Sequence, residues 1–243
     1  MAKAHHILIS GESPLVEEYG MLCLTKKQSV TLRPNTGEAA KLPRRRTKAA
    51  SPPKSITLAL ELTNTSAGLK KKNLILLDRS LAPGISIISS SVTVTVAEQS
   101  TWIKHSHRLI GIGALPSLLE GSLIEFAPSQ RTHESTVAMA KDFAATLGKE
   151  AATVGDSIGL VMPRILCMLV NEAYFAMMEG VAGGNDIDTA MKLGTHYPSG
   201  PMEFARTIGI RQVHAVLAAL HGHFNEERYR IAPLLQHAAL GGA

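Results

Sequence analysis

A change of rhythm near residue 160 constrains this chain more than any other feature. Before it, short apolar runs alternate with helical stretches; after it, no strand signal remains. The runs at 6–10 (HILIS), 29–32 (SVTL), 55–62, 85–89, 108–113 and 122–126 are rich in Ile, Leu and Val and are bounded by Gly, Pro and Ser. Those are the marks of buried strands. The stretches 14–27, 69–81, 97–105 and 133–148 between them suit helices. Strands alternating with helices call for a largely parallel sheet covered on both faces. Beyond 160 the expected elements are helices at 164–180, 186–194, 202–209, 211–223 and 226–240, punctuated by Gly, Pro and Asn. The helix at 164–180 carries two apolar stripes, one through Leu166, Val170, Ala173 and Met177 and one through Met168 and Phe175. A helix that is apolar on two faces belongs at the centre of a bundle.

With 243 residues, 45% of them hydrophobic and 19% charged, the chain has material for one large domain or two smaller ones, each with a core. The net charge of +5 hints at nucleic acid until its location is considered. Lys41, Arg44, Arg45, Arg46, Lys48 and Lys54 crowd into 41–54 with no acid among them, so the rest of the chain is slightly acidic. A solvated basic loop is the plain reading of that tract, and no aromatic residue is interleaved with it. Cys23 and Cys167 are far apart and form no metal-binding or redox spacing, as expected of a reduced cytosolic protein. The N-terminus carries no signal-peptide apolar region and no run long enough to span a membrane, so a soluble, cytoplasmic protein is expected. The pairs His105/His107 and His221/His223 read as surface histidines, and no metal-ligand cluster is expected.

The turn after the first strand invites a search for a dinucleotide site. Gly11 stands there, but a G-x-G-x-x-G turn would need glycines at the positions held by Ser13 and Val16. Glu12 puts a negative charge where phosphate would sit at a helix N-terminus, and Pro14 donates no N–H. The second strand ends without an acid to hold a ribose diol; it carries Arg33, which suits a 2′-phosphate only if the loop also binds. Ordinary dinucleotide binding is therefore not expected, and Gly11 is the only candidate cofactor residue.

The stretch 171–209, NEAYFAMMEGVAGGNDIDTAMKLGTHYPSGPMEFARTIG, resembles the helical domain of the 3-hydroxyacyl-CoA dehydrogenases. The resemblance rests on NEA, EGVA, DIDTAMKLG, YPSGP and a closing E-x-x-x-x-I-G. It continues upstream through 147–166 and fades before about 55, where the chain is too short for that family's first β-α-β units. It implies a Rossmann-like α/β N-terminal domain with a truncated parallel sheet over 1–157, followed by an all-α C-terminal domain over 158–243. By the same resemblance, the family oxidises a 3-hydroxyacyl-CoA with NAD, using a histidine as base, a glutamate to orient it, and a serine and an asparagine to place the substrate. Its G-L-H-F-F-N-P reads here as 111–117, which puts Gly113 at the histidine position. V-E-V reads as Ile124-Glu125-Phe126, which keeps the glutamate as Glu125. S-N-T-S reads as 89–92, with Val92 at the serine, and G-F-I-V-N-R reads as 159–164, with Pro163 at the asparagine. One ungapped register satisfies all four motifs. Lys70 matches a lysine placed near CoA, and Thr65 stands where its companion acid would be.

Glycine, valine and proline offer no side chain that takes a proton or donates a hydrogen bond. The leading expectation is a catalytically degenerate member of that family, with Glu125 as the retained position and no cofactor. It would form a homodimer through its helical domain and serve as a scaffold or bind acyl-CoA, with Lys70, Lys71 and Lys72 on the CoA phosphates. An alternative is an active oxidoreductase of fatty-acid metabolism using NAD or NADP, with His105 or His107 as a relocated base. A third reading, nucleic-acid association through 41–54, is disfavoured by the local character of the charge.

Overall fold

In a computed structural model the chain is described over residues 5–35 and 55–241. The apolar runs pair as strands β1 (His6–Gly11), β2 (Ser29–Pro34), β3 (Leu58–Leu62), β4 (Ser86–Ser90), β5 (Leu109–Ile112) and β6 (Leu123–Ala127), joined by β7 (Glu150–Thr153). They form one sheet in the order β2-β1-β3-β4-β5-β6-β7, parallel throughout except between β5 and β6. Every residue of β3 and β4 is buried, as the unbroken apolar runs of a covered parallel sheet require. Around the sheet lie α1 (Leu15–Thr25), α2 (Ala67–Ser80), the single turn α3 (Val96–Gln99) and α4 (Glu134–Thr146). Strand β7 is absent from the sequence expectation because Glu-Ala-Ala-Thr has little strand propensity. It forms as an edge strand in register with Leu123–Phe126 of β6.

The helix expected over 97–105 stops after one turn. The hydroxyls of Ser100 and Thr101 bond back to the carbonyls of Ala97 and Glu98, competing with helix continuation. The backbone N–H groups of Lys104 and His105 then donate to the carboxylate of Asp78. Arg108, itself buried, donates to the same carboxylate at 2.9 Å, and the His105 ring lies 3.1 Å from it. Burial works against ionisation of Asp78, but the bonds from Arg108, the Lys104 N–H and His105 outweigh it and hold its carboxyl below the usual range. A depressed folded-state pKa stabilises the fold above the unfolded value and loses that contribution as pH falls through the folded one. Asp78→Ala should cost about 3–5 kcal/mol, because it strands the buried Arg108 guanidinium. Urea titration at pH 7 and pH 3 checks this: the variant's deficit should shrink at the lower pH.

The helical region comprises α5 (Met162–Met178), α6 (Gly184–Thr195), α7 (Pro201–Ile208), α8 (Ile210–Phe224) and α9 (Pro233–Gly241). The single helix expected over 226–240 is instead a short turn at 227–229 and then α9, broken before Pro233. The break is fixed by Asn171 of the NEA motif, whose side chain accepts the Ala232 N–H and donates to the Arg230 carbonyl. Asp188, from DIDTAMKLG, accepts the Met202 N–H at 2.7 Å and packs so closely on Gly200 of YPSGP that a Cβ there would lie 2.2 Å from its Oδ1. The motifs that carry the resemblance thus hold the bundle together. Val92, Leu115 and Ile158 join the helices' core cluster, so the sheet's C-terminal edge packs directly under the helices. Among the described residues no helix is long and apolar enough to cross a membrane. Cys23 and Cys167 are buried free thiols; burial pushes that of Cys23 up to about 12 and raises that of Cys167 as well.

Candidate functional site

The strand order turns back between β1 and β3, and the crevice beyond the C-terminal ends of those strands is where an open α/β sheet receives a ligand. Gly11 ends β1 with φ +150°, and a Cβ on it would lie 2.6 Å from the Leu62 backbone. Its glycine character therefore serves the approach of β1 to β3. The next residue, Glu12, is buried, and its carboxylate lies in the crevice. It accepts hydrogen bonds from the Asn64 N–H at 2.9 Å, the Thr65 N–H at 3.2 Å, the Thr65 hydroxyl at 2.6 Å and the side-chain amide of Gln212 at 2.6 Å. Asn64 in turn donates to the Ala114 carbonyl and to the Gln212 carbonyl oxygen, both at 2.9 Å. Gln212 belongs to α8, so the helical region reaches over and closes this polar network. A dinucleotide pyrophosphate needs free N–H donors and positive potential at this turn. Here the turn itself carries a buried anion, held by donors from the segment after β3 and from α8, and the residues present do not fit that cofactor.

The other candidate positions gather around the start of α5. Gly113 follows β5 and donates its N–H to the Glu125 carbonyl at 3.0 Å. A Cβ at position 113 would lie 3.4 Å from Glu125 Oε2 and 3.3 Å from Leu160 Cδ1. The Glu125 carboxylate accepts the Val161 N–H at 3.0 Å and the Met162 N–H at 2.8 Å. It therefore caps a 17-residue helix, where a negative charge meets the positive end of the backbone dipole. Pro163, in the first turn, has no N–H to satisfy, while Arg164 and Ile165 donate to the carbonyls of Gly159 and Val161. Val92 is buried beneath, its carbonyl accepting the Gly159 N–H at 3.0 Å. Val92, Gly113, Glu125 and Pro163 thus lie around one helix start.

Gly113, Glu125 and Pro163 line a cavity of about 650 Å³ together with Tyr197, Ser199 and Phe204. Val92 stays in the core below it. No histidine is among the described residues of the lining. Next to it, Glu18 accepts the Ser117 N–H at 3.0 Å; burial raises its pKa against that bond, with Glu120 and Glu17 adding to the rise.

His105 and His107 precede β5, whereas Gly113 follows it. Four strand residues, about 13 Å at the usual rise, separate them from this cavity, and His105 is held by Asp78. Lys70 is likewise turned inward. Fully buried, its ammonium donates to Glu61, to the Ser90 carbonyl at 2.8 Å and to the Ser89 hydroxyl at 3.3 Å. All three of its donors are occupied, which corrects the expectation that Lys70 faces a CoA phosphate. Lys71 and Lys72 are exposed. Arg33 stands at the end of β2 with its Nη1 buried and unpaired. The basic tract 41–54 lies outside the described residues. Among the described residues no group of three or more His, Cys, Asp or Glu side chains is placed to hold a metal ion.

Sequence reasoning misses Gln212 and Asn64 altogether, since their partners lie 200 and 50 residues away. Tyr197 and Ser199 were visible only as part of YPSGP.

An open, mostly parallel sheet whose ligand-side edge is roofed by a helical bundle gives the chain a two-part architecture. The profile of the 3-hydroxyacyl-CoA dehydrogenase C-terminal domain matches residues 159–242. The chain is 32% identical over 155 residues to a 3-hydroxybutyryl-CoA dehydrogenase of Bradyrhizobium diazoefficiens, covering 64% of this chain and 53% of that protein. It is 31% identical over 166 residues to a probable 3-hydroxybutyryl-CoA dehydrogenase of Bacillus subtilis, covering 68% of this chain and 58% of that one. The matches thus span little more than half the length of these relatives. The crystal structure of (S)-3-hydroxybutyryl-CoA dehydrogenase from Ralstonia eutropha superposes with a TM-score of 0.81 at 24% identity, covering 99% of this chain and 95% of that one, a likeness of fold. The chain belongs to the 3-hydroxyacyl-CoA dehydrogenase family.

Proposed function

We propose that this family member is catalytically silent: it keeps the substrate-side cavity and the helical assembly domain, and its dinucleotide crevice is closed. The observation that carries the reading is the buried Glu12 carboxylate, an anion held by Asn64, Thr65 and Gln212 at the turn where a cofactor's phosphates would sit. The loss of a base at Gly113 is independent support, since a positioned acid–base group is worth about 10²–10⁴ in rate. Glu125 persists because it caps α5. In this reading the protein works in the cytoplasm, consistent with its unpaired thiols. It serves as a homodimeric scaffold or binds acyl-CoA in the cavity beside Glu125. Exposed Ile165, Met178, Val181 and Leu193 on and beside α5 and α6 support self-association through the helical region.

Calorimetric titration with NADH and then with acetoacetyl-CoA tests the reading. The expected result is no heat with NADH and a measurable, salt-sensitive isotherm with acetoacetyl-CoA that weakens when Lys71 and Lys72 are replaced by Gln. Turnover of 3-hydroxybutyryl-CoA with NAD or NADP would overturn it in favour of an active oxidoreductase. Reinstating the three polar groups together (Val92→Ser, Gly113→His, Pro163→Asn) is expected to leave turnover undetectable, because the crevice stays closed.

A further inference from the structure

A second cavity, of about 630 Å³, opens between the start of α2, the segment after β4, and the helices α8 and α9. It shares no lining residue with the cavity beside Glu125. Arg211, His214, Ala215, Ala218 and Ala219 of α8 face it, at the three- and four-residue spacing that puts side chains on one helix face. The alanines leave a shallow apolar floor, with the two basic side chains at one end of the stripe. No hydrogen bond or ion pair joins the side chain of Arg211 or His214 to another described residue. Across the cavity, Ala67 opens the 14-residue helix α2, whose first turn contains no acid, so that helix adds a positive backbone field. No carboxylate is among the described residues of the lining, and that of Glu12, bonded to Asn64 and Thr65 of the rim, is buried and already accepts four donated hydrogen bonds.

We infer that this cavity binds a small organic anion, with a carboxylate or phosphate head at Arg211 and His214 and a short aliphatic body over the alanine floor. The volume falls within the range of small-molecule sites, and an unpartnered guanidinium with an unpartnered imidazole beside a helix N-terminus selects negative charge. This goes beyond the proposed silence of the catalytic site and holds whether or not that reading does, since it needs neither cofactor nor turnover.

Titration of the ¹⁵N-labelled full chain with butyrate, butyl phosphate, inorganic phosphate and neutral butyramide, followed by NMR, tests the inference. At least one of the two butyl-bearing anions should shift the amide signals of Thr65, Thr93 and Ala215, and the better of them identifies the head group. Butyramide should bind at least tenfold more weakly, and so should that anion to the Arg211→Gln/His214→Gln variant with an unchanged melting temperature. Three results would each overturn the site: no shift at those amides with either butyl-bearing anion, butyramide binding as well as the anion, or an unaffected variant. Inorganic phosphate binding as tightly as butyl phosphate would remove the role of the alanine floor. Because butyramide tests the unaltered protein, the inference remains falsifiable even if the variant folds poorly.

Discussion

Lys70→Met alone is expected to lower the folding free energy by about 3–5 kcal/mol, and Glu61→Leu alone by a similar amount. Each single change leaves a charge uncompensated where both side chains are essentially inaccessible to water. The double variant should recover at least about 1 kcal/mol of the summed losses, because it removes both charges at once. Recovery will be incomplete, since Asn73 donates to Glu61 at 3.2 Å, the Ser89 hydroxyl does so at 3.2 Å, and the Ser90 carbonyl accepts from Lys70. Urea denaturation midpoints for the four proteins of the cycle measure the coupling. The same experiment separates two roles for this lysine. A surface phosphate ligand would give strictly additive and small stability changes; a buried ion pair gives strong coupling.

This pair also marks a limit on what residue patterns convey. The LKKK run announces a basic helix face, and for Lys71 and Lys72, both exposed, that is what it is. Nothing in the run distinguishes Lys70, whose direction is set by Glu61 one strand earlier and by Ser89 and Ser90 on the next. The sheet itself was legible because its central strands are covered on both faces and must be continuously apolar. Strand β7 was not, because an edge strand of Glu, Ala and Thr owes its existence to its partner. The break before Pro233 was visible as a proline but not as a boundary, since it also depends on Asn171, 61 residues upstream of the Ala232 N–H it accepts. At the candidate site the motif register names two positions, 113 and 125, that the structure places side by side, because β5 and β6 pair antiparallel. Gln212 was illegible for the opposite reason: it touches residues 200 and 148 positions away and belongs to no local pattern.

Glu12→Ala is the change with the largest expected consequence for function. It leaves the Asn64 and Thr65 N–H groups, the Thr65 hydroxyl and the Gln212 amide without their shared acceptor. A buried donor stripped of its partner costs about 1–3 kcal/mol; water entering the opened crevice makes the four losses less than additive, so a total of about 3 kcal/mol is expected. Because Gln212 carries the network into α8, the loss should fall on the seam between the sheet and the helices. Amide exchange at Asn64 and Thr65 is then expected to accelerate by about 10² while the central strands keep their protection. Exchange rates unchanged at those two amides would show that the network holds nothing, and the closed crevice would lose its physical basis. NADH should still fail to bind this variant, since Ser13 and Val16 remain where the backbone would have to meet a pyrophosphate. NADH binding to the unaltered protein would instead require Glu12 to leave the crevice, and its affinity should then rise on Glu12→Ala. The sign of that single change in affinity separates a closed crevice from one that opens for its cofactor.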